Sequence, residues 1–131
     1  MNYLVDANIY LAVIMNEPEK AGIISLTENS DLVSPEILPY EIGNAFSAMA
    51  KRGSIEKKQV EKCYAIFQKI PVRLVSVEIG NALQIAVEYN IYAYDAYYLE
   101  TAKRLNLPIL TLDKKMKDIA NKMKIFTPEV V

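Results

Sequence analysis

The chain of 131 residues has no histidine and a single cysteine, Cys63. Without histidine it lacks the commonest general base, the Ser–His and Cys–His pairs, and every imidazole metal ligand. With one cysteine it can form neither an internal disulfide nor a cysteine zinc cluster. Cys63 lies in a helical pattern, so we expect a core thiol rather than a nucleophile, which would need an activating base. Any bound metal ion must therefore use oxygen ligands, a preference typical of Mg²⁺ or Mn²⁺.

Long apolar runs are also missing. No run approaches the roughly 18 residues of a membrane span, and the start of the chain has neither a basic nor an apolar leader region. With 52% hydrophobic and 24% charged residues, the composition is typical of a globular protein. We expect one domain over residues 1–131, located in the cytoplasm and not in a membrane.

Short apolar strands alternate with longer amphipathic helical segments along the chain. We expect strands at 2–5, 31–33, 72–75, 109–112 and 125–126, and helices at 7–15, 18–28, 34–52, 54–69, 78–89, 94–105 and 114–123. Strands separated by helices imply a mostly parallel sheet with helices on both faces. The predicted fold class is therefore α/β: a short-stranded central sheet in a three-layer α/β/α arrangement.

Four carboxylates occupy special positions in this pattern. Asp6 and Asp113 each directly follow a predicted strand, and the carboxyl ends of parallel strands share one edge of a sheet, where ligands bind. Glu41 and Asp95 each begin a stripe of inward-facing positions on a helix. An unpaired ionised carboxylate in such a place is costly, so it should protonate or find a cation.

Helix capping is the alternative for three of these acids. Asp is a favoured N-cap residue, so Asp6, Asp95 and Asp113 could each cap a helix and do no more. Glu41 fits this alternative poorly, because we expect it well inside a helix and the residues three and four positions on are Asn44 and Ala45, neither of them basic. Taken together, the four acids favour a metal site.

Charge outside these acids is mildly basic. The chain has 15 basic and 16 acidic residues, so setting the four acids aside leaves an excess of bases. The basic remainder of the protein could bind a polyanion once a metal ion had neutralised the four acids.

The acids lie in four segments that resemble, in order and spacing, the acidic motifs of PIN domains, above all those of VapC toxins of prokaryotic toxin–antitoxin pairs. The segments are Leu4-Val5-Asp6-Ala7-Asn8, Tyr40-Glu41-Ile42-Gly43-Asn44-Ala45, Tyr94-Asp95-Ala96-Tyr97-Tyr98-Leu99-Glu100-Thr101-Ala102 and Leu110-Thr111-Leu112-Asp113. The resemblance implies a Mg²⁺- or Mn²⁺-dependent endoribonuclease acting on RNA. It also implies a cognate antitoxin and a homodimer.

By position, the resemblance makes Asp6, Glu41, Asp95 and Asp113 the catalytic and metal-binding tetrad. Asn8 and Thr111 would be supporting polar residues. We expect the first three acids to be the main metal holders and Asp113 to act through water or as a second ligand.

Residue types point to the mechanism as well. Without histidine, acid–base chemistry on the 2′-hydroxyl by imidazoles is ruled out. A metal-activated water attacking phosphorus in line would instead leave 5′-phosphate and 3′-hydroxyl ends.

Three surface features have two interpretations each. The tyrosines at 89, 92, 94, 97 and 98 fit core and dimer packing or base stacking. Lys114 and Lys115 could contact RNA phosphate or simply lie on a solvated helix face. An apolar face with Ile42, Phe46 and Met49, joined by Ile23, Ile24 and Leu26, is either core or a groove for a partner helix.

Other functions remain open. A non-toxin PIN nuclease would process RNA, and a non-catalytic PIN scaffold, which would be expected to have lost acids, would only bind it. A phospho-acceptor receiver domain would need an Asp after its third strand, where this chain has Ser76-Val77-Glu78. A phosphatase of the haloacid-dehalogenase type needs Asp-x-Asp, whereas position 8 is Asn.

Overall fold

Four parallel strands form the centre of the molecule, and seven helices flank them. The computed structural model describes residues 1–131. Its elements are β1 (Asn2–Val5), α1 (Ala7–Ile14), α2 (Lys20–Thr27), β2 (Asp31–Pro35), α3 (Leu38–Arg52), α4 (Gln59–Gln68), β3 (Arg73–Val75), α5 (Ile79–Tyr89), α6 (Ala93–Leu105), β4 (Ile109–Leu110) and α7 (Lys114–Lys122). The strand order is β3-β2-β1-β4, with every pairing parallel. The predicted three-layer α/β/α class is confirmed.

The central strand β1 is buried on both faces from Tyr3 to Val5, as its apolar residues predict. Successive residues of a strand point to opposite faces. In β1, Tyr3 and Val5 join one core cluster, which includes Ile9 and Phe46, whereas Leu4 joins the other. This strand therefore reads as a continuous apolar run, as expected for a parallel strand between helices, whereas the edge strand β3 is more exposed.

Local sequence signals set the ends of several helices. Gly53 follows α3 with a φ of 79°, the left-handed conformation that favours glycine at this position. Asn90 and Asn106 end α5 and α6 in the same way, with φ values of 53° and 55°. Pro39 lies in the first turn of α3, where its missing N–H costs no helical hydrogen bond.

One boundary differs from the sequence prediction in a way that matters for the site. Ser34 and Pro35 were expected to start a helix, but they complete β2 opposite Leu74 and Val75. The strand continues because the Glu36 N–H donates to the Val75 carbonyl at 2.8 Å. Helix α3 consequently starts at residue 38.

The end of the chain adds no further strand. The predicted strand at 125–126 is wrong, although one strand-like bond remains: the Ile109 N–H donates to the Phe126 carbonyl at 2.9 Å. No helix in the structure combines the length and the apolar character that crossing a membrane requires.

The sheet edge at the carboxyl ends of β1 and β4 positions the acids that follow them. Val5 pairs with Leu110, and the Asp6 N–H donates to the Leu110 carbonyl at 3.0 Å. The chain leaves both strands side by side, so the links from β1 to α1 and from β4 to α7 run next to each other.

Candidate functional site

Asp6 is buried at the junction of β1 and α1. It is the N-cap residue of α1, since its Oδ1 accepts the Ala7 N–H at 2.8 Å. Its Oδ2 accepts the Thr111 hydroxyl at 2.7 Å and the Asn8 side-chain amide at 3.2 Å. The capping interpretation is therefore correct for Asp6, but one helix cap uses only one of its two oxygens.

Asn8 and Thr111 connect the β1–α1 and β4–α7 links by hydrogen bonds. The Asn8 amide nitrogen also donates to the Thr111 hydroxyl at 3.2 Å, while its carbonyl oxygen accepts the Leu112 N–H at 3.1 Å. The Thr111 hydroxyl oxygen accepts the Asp113 N–H at 3.0 Å. This network connects residues more than 100 positions apart in sequence and holds the Asp6 carboxylate in one orientation.

Glu41 lies in the first turn of α3, not well inside the helix, because α3 begins only at Leu38. The predicted position of Glu41 well inside the helix is wrong. Glu41 is nevertheless no cap: its Oε1 accepts the hydroxyl of the buried Tyr98 at 2.6 Å. The expected lack of a basic partner holds, since none of the three ion pairs of the chain includes Glu41.

Asp95 lies in the first turn of α6, whose N terminus has no side-chain cap. Capping is therefore wrong for Asp95. Asp113 differs, because it is the N-cap residue of α7 and its Oδ1 accepts the N–H groups of Lys115 and Met116 at 2.9 and 3.3 Å. Its other oxygen takes no part in the cap, and the side chain is exposed.

The acids perturb one another's ionisation. Burial raises the pKa of Asp6 to about 6, and the negative charges of Asp95 and Glu41 push in the same direction against the hydrogen bonds from Thr111 and Ala7. Burial also raises the pKa of Glu41, opposed by the Tyr98 bond and reinforced by Asp95.

Asp95 is linked to the fourth acid in the same way. Burial raises its pKa, the charge of Asp113 raises it further, and Lys115 lowers it. Each of the four acids is thus within electrostatic range of at least one other. The structure brings the four predicted residues to the same end of the sheet.

The side chains at the site fit Mg²⁺ or Mn²⁺, because the possible metal ligands among them are carboxylate, amide and hydroxyl oxygens. No three carboxylates are close enough to form a ready-made metal cage. Mg²⁺ does not need such a cage: it usually keeps several waters and binds through one or two carboxylates together with substrate phosphate. The residues present therefore fit a water-rich Mg²⁺ site better than a closed structural one.

Two recesses flank the N terminus of α6. A polar one of about 360 Å³ contains Asp95 and Lys115, with Tyr92, Asn90 and Ile91. The other is an apolar cleft of about 480 Å³, lined by Glu36, Ile37, Tyr40, Val77, Ile79, Tyr94 and Tyr97. Lys114 lines neither recess and is exposed.

The roles of two residues at the site were not predicted from the sequence. Tyr98 was assigned to packing or base stacking and not to Glu41, although it lies three residues after Asp95 and therefore on the same side of α6. Tyr40 precedes Glu41 and is 76% exposed. An exposed aromatic next to a candidate ligand was the signal available for it.

The predicted apolar groove is mostly ordinary core. Ile23, Ile42 and Phe46 are buried, and Leu26 and Met49 pack against the same cluster. Ile24 alone of that set is exposed. The core interpretation is thus correct for this face.

Comparison with known proteins identifies the family. Residues 3–122 match the family model of the PIN domain. The chain belongs to the PIN domain family. The resemblance drawn from the four acidic motifs is confirmed, including its VapC-like character.

This PIN domain is similar along most of its length to proteins named as ribonucleases. It is 22% identical over 123 residues to Ribonuclease VapC3 of Pyrobaculum aerophilum, covering 90% of this chain and 94% of that protein. It is 25% identical over 116 residues to VapC ribonuclease Mb0985 of Mycobacterium bovis, covering 88% of each.

Solved structures show the same fold. PAE2754 from Pyrobaculum aerophilum matches the PIN domain with a TM-score of 0.71 and 24% identity, over 91% of this chain and 84% of that one. VapBC2 from Rickettsia felis, solved bound to a DNA fragment from its promoter, matches with a TM-score of 0.67 and 18% identity over 98% of each chain.

Proposed function

We propose that this PIN domain is a Mg²⁺- or Mn²⁺-dependent endoribonuclease, the toxin of a VapBC-type pair acting in the cytoplasm. One observation carries the proposal: four carboxylates lie at one end of the sheet, negative charges among them help to raise the pKa of Asp6, Glu41 and Asp95, and none of the four has an ion-pair partner in the chain. A divalent cation would relieve this repulsion. The names of the VapC relatives support the choice of RNA as substrate.

In this proposal Asp6, Glu41 and Asp95 hold the metal ion, and Asp113 reaches it through water. A bound ion would supply an activated water for attack on phosphorus and offset charge on the phosphoryl oxygens. The other residues orient these acids.

Three hydrogen-bond donors do the orienting. Asn8 and Thr111 hold the Asp6 carboxylate from one side of the sheet edge, and Tyr98 holds Glu41 from α6. Fixed carboxylates lose little freedom when a cation binds, so this rigidity favours a defined position for the reacting phosphate. Lys115, which lines the polar recess with Asp95, would contact an RNA phosphate.

A cleavage assay tests the nuclease proposal. Purified protein is incubated with single-stranded RNA in Mg²⁺ or Mn²⁺, with and without EDTA. We expect cuts that leave 5′-phosphate and 3′-hydroxyl ends, no cuts in EDTA, and none with Asp6→Asn or Asp95→Asn.

The matched control is Asp31→Asn, the same change at an exposed aspartate at the opposite end of β2. It should cut like wild type. If Asp6→Asn and Asp95→Asn also cut like wild type, the tetrad is wrong. Metal-independent RNA binding without cleavage would identify a scaffold, and covalent phosphorylation of an aspartate by a small phosphodonor would identify a receiver domain.

The toxin role has its own test. The structural likeness to a VapBC complex supports an antitoxin partner. We expect expression of the chain to arrest growth, and co-expression of a small DNA-binding protein encoded beside it to relieve the arrest. Cleavage in vitro without growth arrest would instead favour a non-toxin nuclease that processes RNA.

A homodimer is the remaining part of the proposal. Leu83 and Val87, one helical turn apart on α5, are 48% and 83% exposed, so α5 presents an apolar stripe suited to a second copy. Light scattering should give twice the chain mass of 14.8 kDa, and Val87→Glu should reduce it to that of one chain. A single-chain mass for wild type would rule the dimer out.

A further inference from the structure

We propose that the apolar cleft beside Tyr40 and Tyr94 is a nucleobase subsite, in which one unpaired base of the RNA stacks on tyrosine next to the cleaved bond. The proposal rests on the proposed nuclease function and adds how the substrate is positioned. The cleft, of about 480 Å³, lies within the size range of small-molecule sites.

The two tyrosines are placed by the same elements that place the acids. Tyr40 immediately precedes Glu41 at the start of α3, and Tyr94 immediately precedes Asp95 at the start of α6. Consecutive residues of a helix point about 100° apart. Each acid is therefore partly buried at the sheet edge, while the ring beside it remains 76% or 55% exposed.

An aromatic pair forms part of the cleft wall. Tyr94 contacts Tyr97 edge to face, with ring centroids 5.8 Å apart and an interplanar angle of 89°. This geometry is the favourable one for aromatic pairs. Stacking of a base on these rings would therefore cost little side-chain conformational entropy.

Charge separates the roles of the two recesses. No lysine or arginine lines the cleft, and its one charged residue is Glu36, so it suits the uncharged ring of a base and disfavours a phosphate. The polar recess on the other side contains Lys115 together with Asp95. A strand crossing the acids can thus place a phosphate at Lys115 and a base between the tyrosines.

A second copy of the chain is the competing occupant. Ile79 lines the cleft and lies on the same face of α5 as Leu83 and Val87, so the apolar stripe extends to the cleft. Two observations favour the base. The rings directly adjoin the acids in sequence, and three of the seven residues lining the cleft are tyrosines, whose rings are surfaces on which unpaired RNA bases stack.

The test measures binding of short labelled single-stranded RNAs in Ca²⁺, a hard divalent cation used in place of Mg²⁺, with RNA integrity checked on a gel. One RNA carries 2-aminopurine and its partner an abasic nucleotide, each scanned along the strand. The proteins are wild type, Tyr40→Ala/Tyr94→Ala, Tyr40→Phe/Tyr94→Phe and the control Phe126→Ala. Phe126 is an exposed aromatic at the opposite end of β4.

Stacking on tyrosine predicts a specific pattern. Wild type should quench 2-aminopurine at one position of the strand, and the abasic RNA should bind more weakly there. The double alanine variant should bind about five- to a hundredfold more weakly, without quenching and without sensitivity to the abasic site. The double phenylalanine and Phe126→Ala variants should behave like wild type.

The outcomes separate the subsite from the nuclease. If wild type cuts RNA and the double alanine variant binds and cuts equally well, the subsite is wrong and the nuclease stands. If the alanine changes alter only the molar mass in solution, the cleft is a subunit interface and the subsite is again wrong. If wild type neither binds nor cuts RNA, both proposals fail.

Discussion

The hydroxyl of Tyr98 donates a 2.6 Å hydrogen bond to Oε1 of Glu41, joining α6 to α3 across the candidate site. Tyr98 is buried, and burial together with the neighbouring Glu41 charge raises the pKa of its hydroxyl far above neutrality. The hydroxyl therefore keeps its proton at neutral pH and can donate it to Glu41. It holds one oxygen of Glu41 and leaves the other free for a cation.

Tyr98→Phe removes this donor and little volume. We expect a loss of stability of about 1–2 kcal/mol, a higher Mg²⁺ concentration for half-maximal cleavage, and a cleavage rate reduced about tenfold because Glu41 is no longer oriented. Thermal melting and a Mg²⁺ titration of RNA cleavage measure the two effects.

The matched control is Tyr10→Phe, which removes another buried hydroxyl that is bonded to Ser34 at 2.8 Å and to no acid. It should cost similar stability and leave the Mg²⁺ dependence unchanged. Equal Mg²⁺ dependence in both variants would show that Tyr98 has only a structural role.

Asp6→Asn should change how stability depends on pH. The folded protein retains the Asp6 proton up to about pH 6, whereas the unfolded chain releases it near 3.8. The folded state thus binds more protons in this window, and stability falls as pH rises through it, by roughly 3 kcal/mol in total. Above about pH 6 the folded state has also released this proton, so the contribution of Asp6 to stability no longer changes with pH.

Asparagine carries no such proton, so the variant should lack this part of the slope. Asparagine also has one acceptor oxygen where the carboxylate has two, so it loses hydrogen bonds at every pH without adding to the slope. Urea unfolding of both proteins from pH 4 to pH 8 in EDTA measures the difference in slope, from which the contributions of groups not coupled to Asp6 cancel. Mg²⁺ should stabilise wild type far more than the variant. Equal slopes in the two proteins would contradict this account.

Thr111→Val should raise the pKa of Asp6 further. The Thr111 hydroxyl donates to the Asp6 carboxylate at 2.7 Å and so favours its ionised form. Valine has a similar shape and no donor. We expect cleavage at least tenfold slower at neutral pH, with the acid limb of the pH–rate profile displaced to higher pH.

Thr101→Val provides the comparison, since Thr101 is equally buried and donates to the Tyr97 carbonyl within α6. Its pH–rate profile should match that of wild type. The role assigned to Thr111 fails if both valine variants give the same profile.

Two substitutions at Asp113 separate capping from catalysis. Asparagine keeps an N-cap oxygen for Lys115 and Met116, whereas alanine removes it and should cost about 1 kcal/mol of stability. Both remove the charge. We expect Asp113→Asn to be as stable as wild type but several times slower in cleavage, with a weaker effect than Asp95→Asn because the proposed role of Asp113 is through water.

Chemical denaturation and cleavage assays on the same preparations distinguish a capping role of Asp113 from a catalytic one. Wild-type rates in Asp113→Asn, with lower stability only in Asp113→Ala, would leave Asp113 as a helix cap alone.

Local sequence patterns were sufficient for the fold class and, through the four acidic motifs, for the family. The apolar run before Asp6 located the end of β1. The prediction that Asp113 directly follows a strand is wrong, because β4 ends at Leu110, and Thr111 and Leu112 lie between that strand and Asp113. The parallel sheet still places the residues after both strands at one edge. The absence of histidine restricted any metal ion to oxygen ligands before the structure was considered. Whether the four acids form the active site stays a prediction until the variants are measured.

Tertiary structure decided the features that depend on contacts distant in sequence. The start of α3, and with it the place of Glu41, followed from the pairing of Pro35 with Val75. Glu100 of α6 is buried, and its carboxylate accepts hydrogen bonds from the Glu78 N–H and from the Arg104 side chain. Tyr98, which donates to Glu41, lies 57 residues away from it in sequence, and Thr111, which donates to Asp6, lies 105 residues away. Helical and strand periodicity predicts which residues a few positions apart share a face. It cannot predict contacts between distant segments, so only the packing of helices on the sheet shows which hydroxyl donates to each acid.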